Sequence, residues 1–233
     1  MSMPGLSDAN ESSTKLVIFD CDGVLIDSEI VVCRLTSEEL TRLGYTVTLE
    51  QVIDRFAGRP EREMIADIER DWGRPVPAAF FERLRTRIDE AYATELRIMP
   101  EIADVLDRIR IDICVASSSY PAKLALGLRT VGLHDRFDPN IISAYYVTHG
   151  KPAPDVFIYA AGWMRTQVAD CLVIEDSVPG VRAAVGAGMR VYGFTGGSHS
   201  RPSLRGRLLD AGAECVFDHF RELAVRIPGI FCS

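Results

Sequence analysis

No apolar run in this chain approaches the roughly 20 residues that a membrane-crossing helix takes, so no spanning segment is expected. There is no internal repeat and no low-complexity tract. None of the six cysteines, Cys21, Cys33, Cys114, Cys171, Cys215 and Cys232, forms a C-x-x-C pair, and several sit in apolar runs. That pattern fits buried free thiols in a reducing compartment better than disulfides or zinc. Positive charge is also scarce, with 26 Lys and Arg against 33 Asp and Glu for a net charge of −7. An acidic balance argues against nucleic acid and anionic membrane as partners. It leaves room for an anionic small molecule, because a local site can be positive inside an acidic protein. The opening MSMPGLSDANESST lacks the apolar segment of a secretory signal. Residues 1–14 read as a polar, disordered lead-in, and the chain as cytoplasmic, with a monomer as the default.

What is present is ordinary for a globular protein: 47% hydrophobic and 25% charged residues over a length of 233. That length suits one large domain, or one domain carrying an insertion. Short apolar runs bounded by polar, Gly or Pro residues occur at 16–19, 111–116, 171–174 and 190–194, with a weaker one at 215–217. They read as buried parallel strands. Helical spacing follows at 122–131, 154–164 and 178–187. Alternating strands and helices predict an α/β fold with a doubly wound, Rossmann-like parallel sheet. Residues 29–97 break the alternation. They show helical spacing at 29–43, 49–56, 61–72 and 78–96, with breaks at Gly58–Pro60 and Gly73–Pro77. The expected organisation is a core of residues 15–28 and 98–233 with an inserted four-helix cap at 29–97. Linkers would lie near 25–30 and 94–100.

In an open α/β sheet, ligands bind beyond the carboxyl ends of the strands. Asp20 and Asp22 follow the first run, Ser117, Ser118 and Ser119 the second, and Glu175, Asp176 and Ser177 the third. The stretch GKPAPD places Lys151 in a rigid loop before a helix. Four carboxylates converging on one edge need a cation, and an oxygen-only donor set favours magnesium. One lysine and a hydroxyl beside it would cradle a phosphate. On an extended strand end, residues i and i+2 face the same way, so Asp20 and Asp22 would both face the reacting centre.

Through FDCDGVLIDSE, VASSS, GKPAPD and VIEDSVPG, in that order, the chain resembles the haloacid dehalogenase superfamily. Within it, the similarity is to the helical-cap subgroup of β-phosphoglucomutase and small sugar-phosphate phosphatases. The resemblance implies that Asp20 is a nucleophile forming an aspartyl-phosphate. It implies that Asp22 is a general acid and base, and that Ser117 and Lys151 bind the phosphoryl group. Mg²⁺ would be held by Asp20, the backbone carbonyl of Asp22, Asp176 and Glu175, the last directly or through water. Ser118 and Ser119 join the candidate substrate-binding set, Ser118 reading also as structural and Ser119 as a substrate contact. Arg59, with Arg55 and Arg62 around the Gly58–Pro60 turn, is a candidate for the substrate's polar end. Asp27 and Ser28 read as cap or linker residues, Gly196–His199 as a surface loop, and Trp72 and Trp163 as packing residues.

Dehalogenases of this superfamily lack a second aspartate, so Asp22 and the Glu175–Asp176 pair argue against dehalogenation. Phosphonate-cleaving members carry a lysine early in the first cap helix, and Ile30–Arg34 has none. β-Phosphoglucomutase carries a histidine at the place of Val32. Its absence favours hydrolysis of a small phosphorylated sugar or sugar acid, with a phosphosugar mutase as the alternative. A phosphorylatable receiver, the alternative of another class, would be roughly half this length, with its acceptor aspartate off the first strand.

Overall fold

Residues 14–59 and 61–231 are described by the computed structural model. The lead-in expected over 1–14 lies outside them except for Thr14, as do Pro60, Cys232 and Ser233. Chain order runs β1 (Leu16–Phe19), α1 (Glu29–Arg42), α2 (Leu49–Phe56), α3 (Glu61–Trp72), α4 (Ala78–Thr94), α5 (Ile102–Arg108) and β2 (Asp112–Ser117). It continues through α6 (Pro121–Thr130), α7 (His134–Phe137), β3 (Ile141–Ser143), α8 (Asp155–Trp163), β4 (Cys171–Glu175) and α9 (Val178–Gly186). The last elements are β5 (Arg190–Phe194), α10 (Pro202–Asp210), β6 (Cys215–Phe217) and α11 (Leu223–Arg226).

The strands form one sheet in the order β3-β2-β1-β4-β5-β6, and every pairing is parallel. β1 lies at the centre, with Phe19 opposite Val115 of β2 on one side and Ile174 of β4 on the other. The three central strands therefore end within two residues of one another, and the residues at and after their ends share one edge. Alternate strand residues feed two cores. Val17, Phe19, Val115, Leu172 and Ile174 pack on the face of α5, α6 and α11. Leu16, Ile18, Cys114, Ala116 and Val173 pack on the face of α8, α9 and α10.

Helices α1–α4 bury a third cluster, which includes Leu35, Leu40, Val52, Phe56, Ile68, Phe80 and Leu84. α2 starts where its capping box dictates: Thr48 accepts from the Gln51 N–H, and Gln51 reaches back to the Thr48 N–H. Glu39 on α1 is only 3% exposed and accepts from Arg42, Arg83 and Arg87, tying α1 to α4. The chain enters and leaves these helices side by side. Asp27 N–H donates to Arg97 C=O at 2.9 Å, Met99 N–H to Leu25 C=O at 2.9 Å, and Ile26 bridges Ile98 antiparallel.

Five elements had no counterpart in the sequence reading; two of them, α7 and α11, are four residues each and too short to show a helical period. β3 is a three-residue edge strand that pairs with β2 alone, too short to show a period. α5 has Ile102, Val105 and Leu106 at helical spacing but spans seven residues. α10 carries Gly206 in its interior and buries only Leu208, so its apolar stripe is faint. The cysteines Cys21, Cys33, Cys114, Cys171 and Cys215 are free thiols, four of them buried. Trp163, expected to pack, is 52% exposed and donates to Asn140. Among the described residues no helix is long and apolar enough to cross a membrane.

Candidate active site

The carboxylates beyond β1 and β4 meet. Asp20, Glu175 and Asp176 are all buried, and each offers an oxygen within 4.8 Å of the others. Lys151 is buried among them. Its Nζ lies 2.6 Å from Asp20 Oδ1, 2.7 Å from Glu175 Oε1 and 3.1 Å from the Ala116 carbonyl oxygen. Burial pulls the Lys151 ammonium toward losing its proton, but Asp20 and Glu175 reverse that and hold it charged. Burial drives the Asp20 carboxyl well above its ordinary range, with Lys151 opposing. Burial also pushes Asp176 up to about 6, with His199 opposing. One lysine and one imidazole do not balance three buried carboxylates, and an all-oxygen donor set of this kind fits a hard divalent cation.

Two glycines make the cluster possible. A Cβ on Gly180, in the first turn of α9, would overlap the Glu175 carboxylate. One on Gly23, where φ is +83°, would overlap the Asp176 carboxylate. Glu175 is held at its other oxygen by the N–H of Ser177 at 2.7 Å and its hydroxyl at 2.9 Å. With Lys151 on Oε1, both oxygens of Glu175 are engaged.

Asp22 is held by a separate set of groups. Its Oδ1 accepts from Ser28 at 2.6 Å and Tyr92 at 2.9 Å, and its Oδ2 from Ser119 at 2.6 Å. Lys123 Nζ stands 3.5 Å away and also donates to Ser119. Burial alone would raise this carboxyl, but Lys123 and the three hydroxyls bring it below its ordinary value. Asp22 is thus held as a carboxylate. Ser28 immediately precedes the helical insertion and Tyr92 sits in its last helix, α4, while Ser119 lies just before α6 and Lys123 in its first turn.

Ser117 is 1% exposed, and its Oγ accepts from the Ser119 N–H at 3.0 Å. Ser118 is exposed. Ser119, a candidate substrate contact, donates to Asp22 Oδ2. Arg59 lines a cavity of ≈ 250 Å³ between the end of α2 and the core, together with Gly58, Asp176, Ser177, His199 and Arg201. Its guanidinium is committed to Asp67 at 2.8 Å, Glu63 at 3.3 Å and the Arg55 carbonyl at 3.0 Å.

Four residues at the site escape sequence reading: Ser28, Tyr92, Lys123 and His199. The stretch Gly196–His199, expected as a surface loop, instead buries His199 against Asp176, Nε2 to Oδ2 at 3.2 Å. Burial pulls the imidazole's pKa down, and Asp176 more than offsets it. The paired glycines ahead of His199 were the signal available.

A family model for haloacid dehalogenase-like hydrolases matches residues 14–188. A 6-phosphogluconate phosphatase of Escherichia coli is 28% identical over 192 residues, covering 82% of this chain and 87% of that protein. A haloacid dehalogenase-like protein of Agrobacterium tumefaciens superposes with a TM-score of 0.86 at 36% identity, over 92% of this chain and 97% of that one. A hydrolase of the same family from Deinococcus radiodurans, solved with bound phosphate and sodium, gives 0.80 at 28% identity, over 94% of this chain and 97% of that one. With strand-end carboxylates, buried lysine, helical insertion and family model in agreement, the chain belongs to the haloacid dehalogenase-like hydrolases.

Proposed function

We propose that this protein is a magnesium-dependent phosphatase that hydrolyses a small phosphorylated metabolite, a sugar phosphate or sugar-acid phosphate, through an aspartyl-phosphate. The observation that carries the reading is the buried cluster of Asp20, Glu175 and Asp176 around Lys151 at the ends of β1 and β4. The phosphatase among the relatives and the phosphate in the Deinococcus hydrolase support it.

Asp20 and Asp176 would hold the metal, with the Asp22 backbone carbonyl and with Glu175 directly or through water. Magnesium, when bound, would supply the positive charge that lets an anionic carboxylate approach a phosphate dianion. An Asp20 oxygen bonds to phosphorus as the ester P–O bond breaks. Asp22 would enter this half carrying the proton it took from water in the preceding turnover and give it to the leaving oxygen, which returns it to the carboxylate that its surroundings favour. Water then attacks the phosphorus of the aspartyl-phosphate, Asp22 takes a proton from that water, and Asp20 is freed with phosphate. The donors around Asp22 favour the state in which the second half begins. Lys151 and the Ser117 hydroxyl would hold the phosphoryl oxygens as charge moves onto them.

The cap residues 29–97 contain neither histidine nor lysine. A cap without a histidine speaks for hydrolysis over phosphosugar isomerisation, and one without a lysine against Schiff-base cleavage of phosphonates. The test is phosphate release from a panel of sugar and sugar-acid phosphates, with Mg²⁺ or with chelator, for wild type and Asp20→Asn. The expected result is release by the wild type with Mg²⁺ only. Activity surviving both chelation and Asp20→Asn refutes the mechanism. Conversion of β-glucose 1-phosphate to glucose 6-phosphate without net phosphate release makes the protein a mutase.

A further inference from the structure

The segment Gly196–Arg201 between β5 and α10 is built around a contact that the chemistry above does not use. His199 is 5% exposed. Its Nε2 faces Asp176 Oδ2 at 3.2 Å, and its Nδ1 has no hydrogen-bond partner among the described residues. A buried polar ring costs free energy unless it is hydrogen-bonded, and among the described residues the polar group that meets this one at close range is Asp176. The surrounding backbone is shaped for that meeting. A Cβ on Gly197 would stand 2.9 Å from two ring atoms, and one on Gly23 would overlap the Asp176 carboxylate and crowd the ring.

The loop is fixed at both ends and in its middle. Thr195 N–H donates to Phe217 C=O at 2.9 Å, and Ser200 N–H closes a turn onto Gly197 C=O at 2.9 Å. Ser198 N–H donates to Asp27 Oδ1 at 3.0 Å, and the Ser198 hydroxyl donates to Oδ2. Arg201 Nε lies 3.6 Å from Asp54 on α2. The imidazole is thus presented to Asp176 by a braced loop.

We propose that His199 is a positioning residue for the metal site. Its Nε2–H engages Oδ2 of Asp176 and fixes the plane of the carboxylate that faces Asp20 and Glu175. The inference rests on the metal-dependent reading above. Groups that orient a ligand carboxylate change metal affinity by about 10–100-fold when removed.

Mg²⁺ binding to the enzyme without substrate, followed by titration calorimetry, tests it. Relative to wild type, His199→Ala weakens Mg²⁺ binding by about 10–100-fold. His199→Gln, which keeps an N–H donor, recovers most of the loss. Melting temperatures in chelator stay close to wild type. In turnover the Mg²⁺ activation constant rises while KM for the phosphoester holds. A folded His199→Ala that binds Mg²⁺ within about twofold of wild type overturns the proposal. If His199→Ala does not fold, the similarly sized pair His199→Gln and His199→Met decides, and equal Mg²⁺ affinities overturn it. A wild type that binds no Mg²⁺ overturns both this proposal and the metal-dependent reading. A wild type that binds Mg²⁺ but releases no phosphate overturns the phosphatase reading alone.

Discussion

Gly180 carries a stability argument that runs against helix propensity. In a helix interior, Gly→Ala normally gains about 1 kcal/mol. Here the new methyl would occupy the space of the Glu175 carboxylate, and overpacking costs about 1–3 kcal/mol. Gly180→Ala should therefore lower the melting temperature in calorimetry; a rise would mean that Glu175 has room to move. Tyr92 offers a second test at this scale. Its hydroxyl is one of four groups on Asp22, and a hydrogen bond to a charged group contributes about 1.5–3 kcal/mol. Tyr92→Phe should reduce kcat by about tenfold or more with KM nearly unchanged. An unaltered kcat would remove Tyr92 from the catalytic account. Asp20, Lys151, Glu175 and Asp176 were legible in the sequence because each follows a strand or opens a loop at the sheet edge. Tyr92, Lys123 and His199 were not, because they arrive from helices and a loop whose placement only tertiary packing decides.

Among the elements, the contact between α1 and α4 depends on Glu39, a buried carboxylate facing three half-exposed arginines. Hydrogen bonding from Arg42, then from Arg83 and Arg87, lowers its pKa against the opposing pull of burial. A carboxyl whose folded pKa lies below its unfolded one stabilises the fold above the ordinary Glu range, near 4.3 for a free side chain. That contribution is lost as pH falls through the folded pKa. Glu39→Gln should cost about 2 kcal/mol at pH 7, less than the 3–5 kcal/mol of a fully buried pair because water screens the arginines. The gap between wild type and variant in denaturant unfolding should narrow as pH drops below the ordinary Glu range. A gap constant from pH 7 to 3 would assign the effect to packing. The long helices were readable from apolar spacing and caps, as with Thr48 and Gln51 at the start of α2. β3 was not, because three residues at a sheet edge are too few to show a period and pair with one strand only.

For the molecule as a whole, the proposed metal binding would be linked to folding. A cation that binds only the folded chain stabilises it by about 2.7 kcal/mol at one hundred times its Kd. For a chain of this size that is a rise in melting temperature of roughly 5–10 °C. Mg²⁺ should produce such a rise in the wild type and little in Asp176→Asn; equal rises would place the cation elsewhere. Strand and helix alternation after residue 98 and its interruption over 29–97 were enough to anticipate the architecture. The pairing of Ile26 with Ile98 was not, because it joins segments far apart in sequence.

That pairing has an evolutionary consequence. Asp27 and Arg97 are hydrogen-bonded neighbours, so everything between them leaves and rejoins the sheet through one doorway. To the sheet, the intervening helices are a single long excursion with its ends already joined. Closing a flexible excursion of this kind grows dearer only logarithmically, by about 0.6 kcal/mol per doubling of length. A lineage could therefore shorten, lengthen or replace the helices without re-registering a strand, provided something still fills the place of Tyr92 over Asp22. Recognition would be free to drift while the chemistry at the strand ends stayed put.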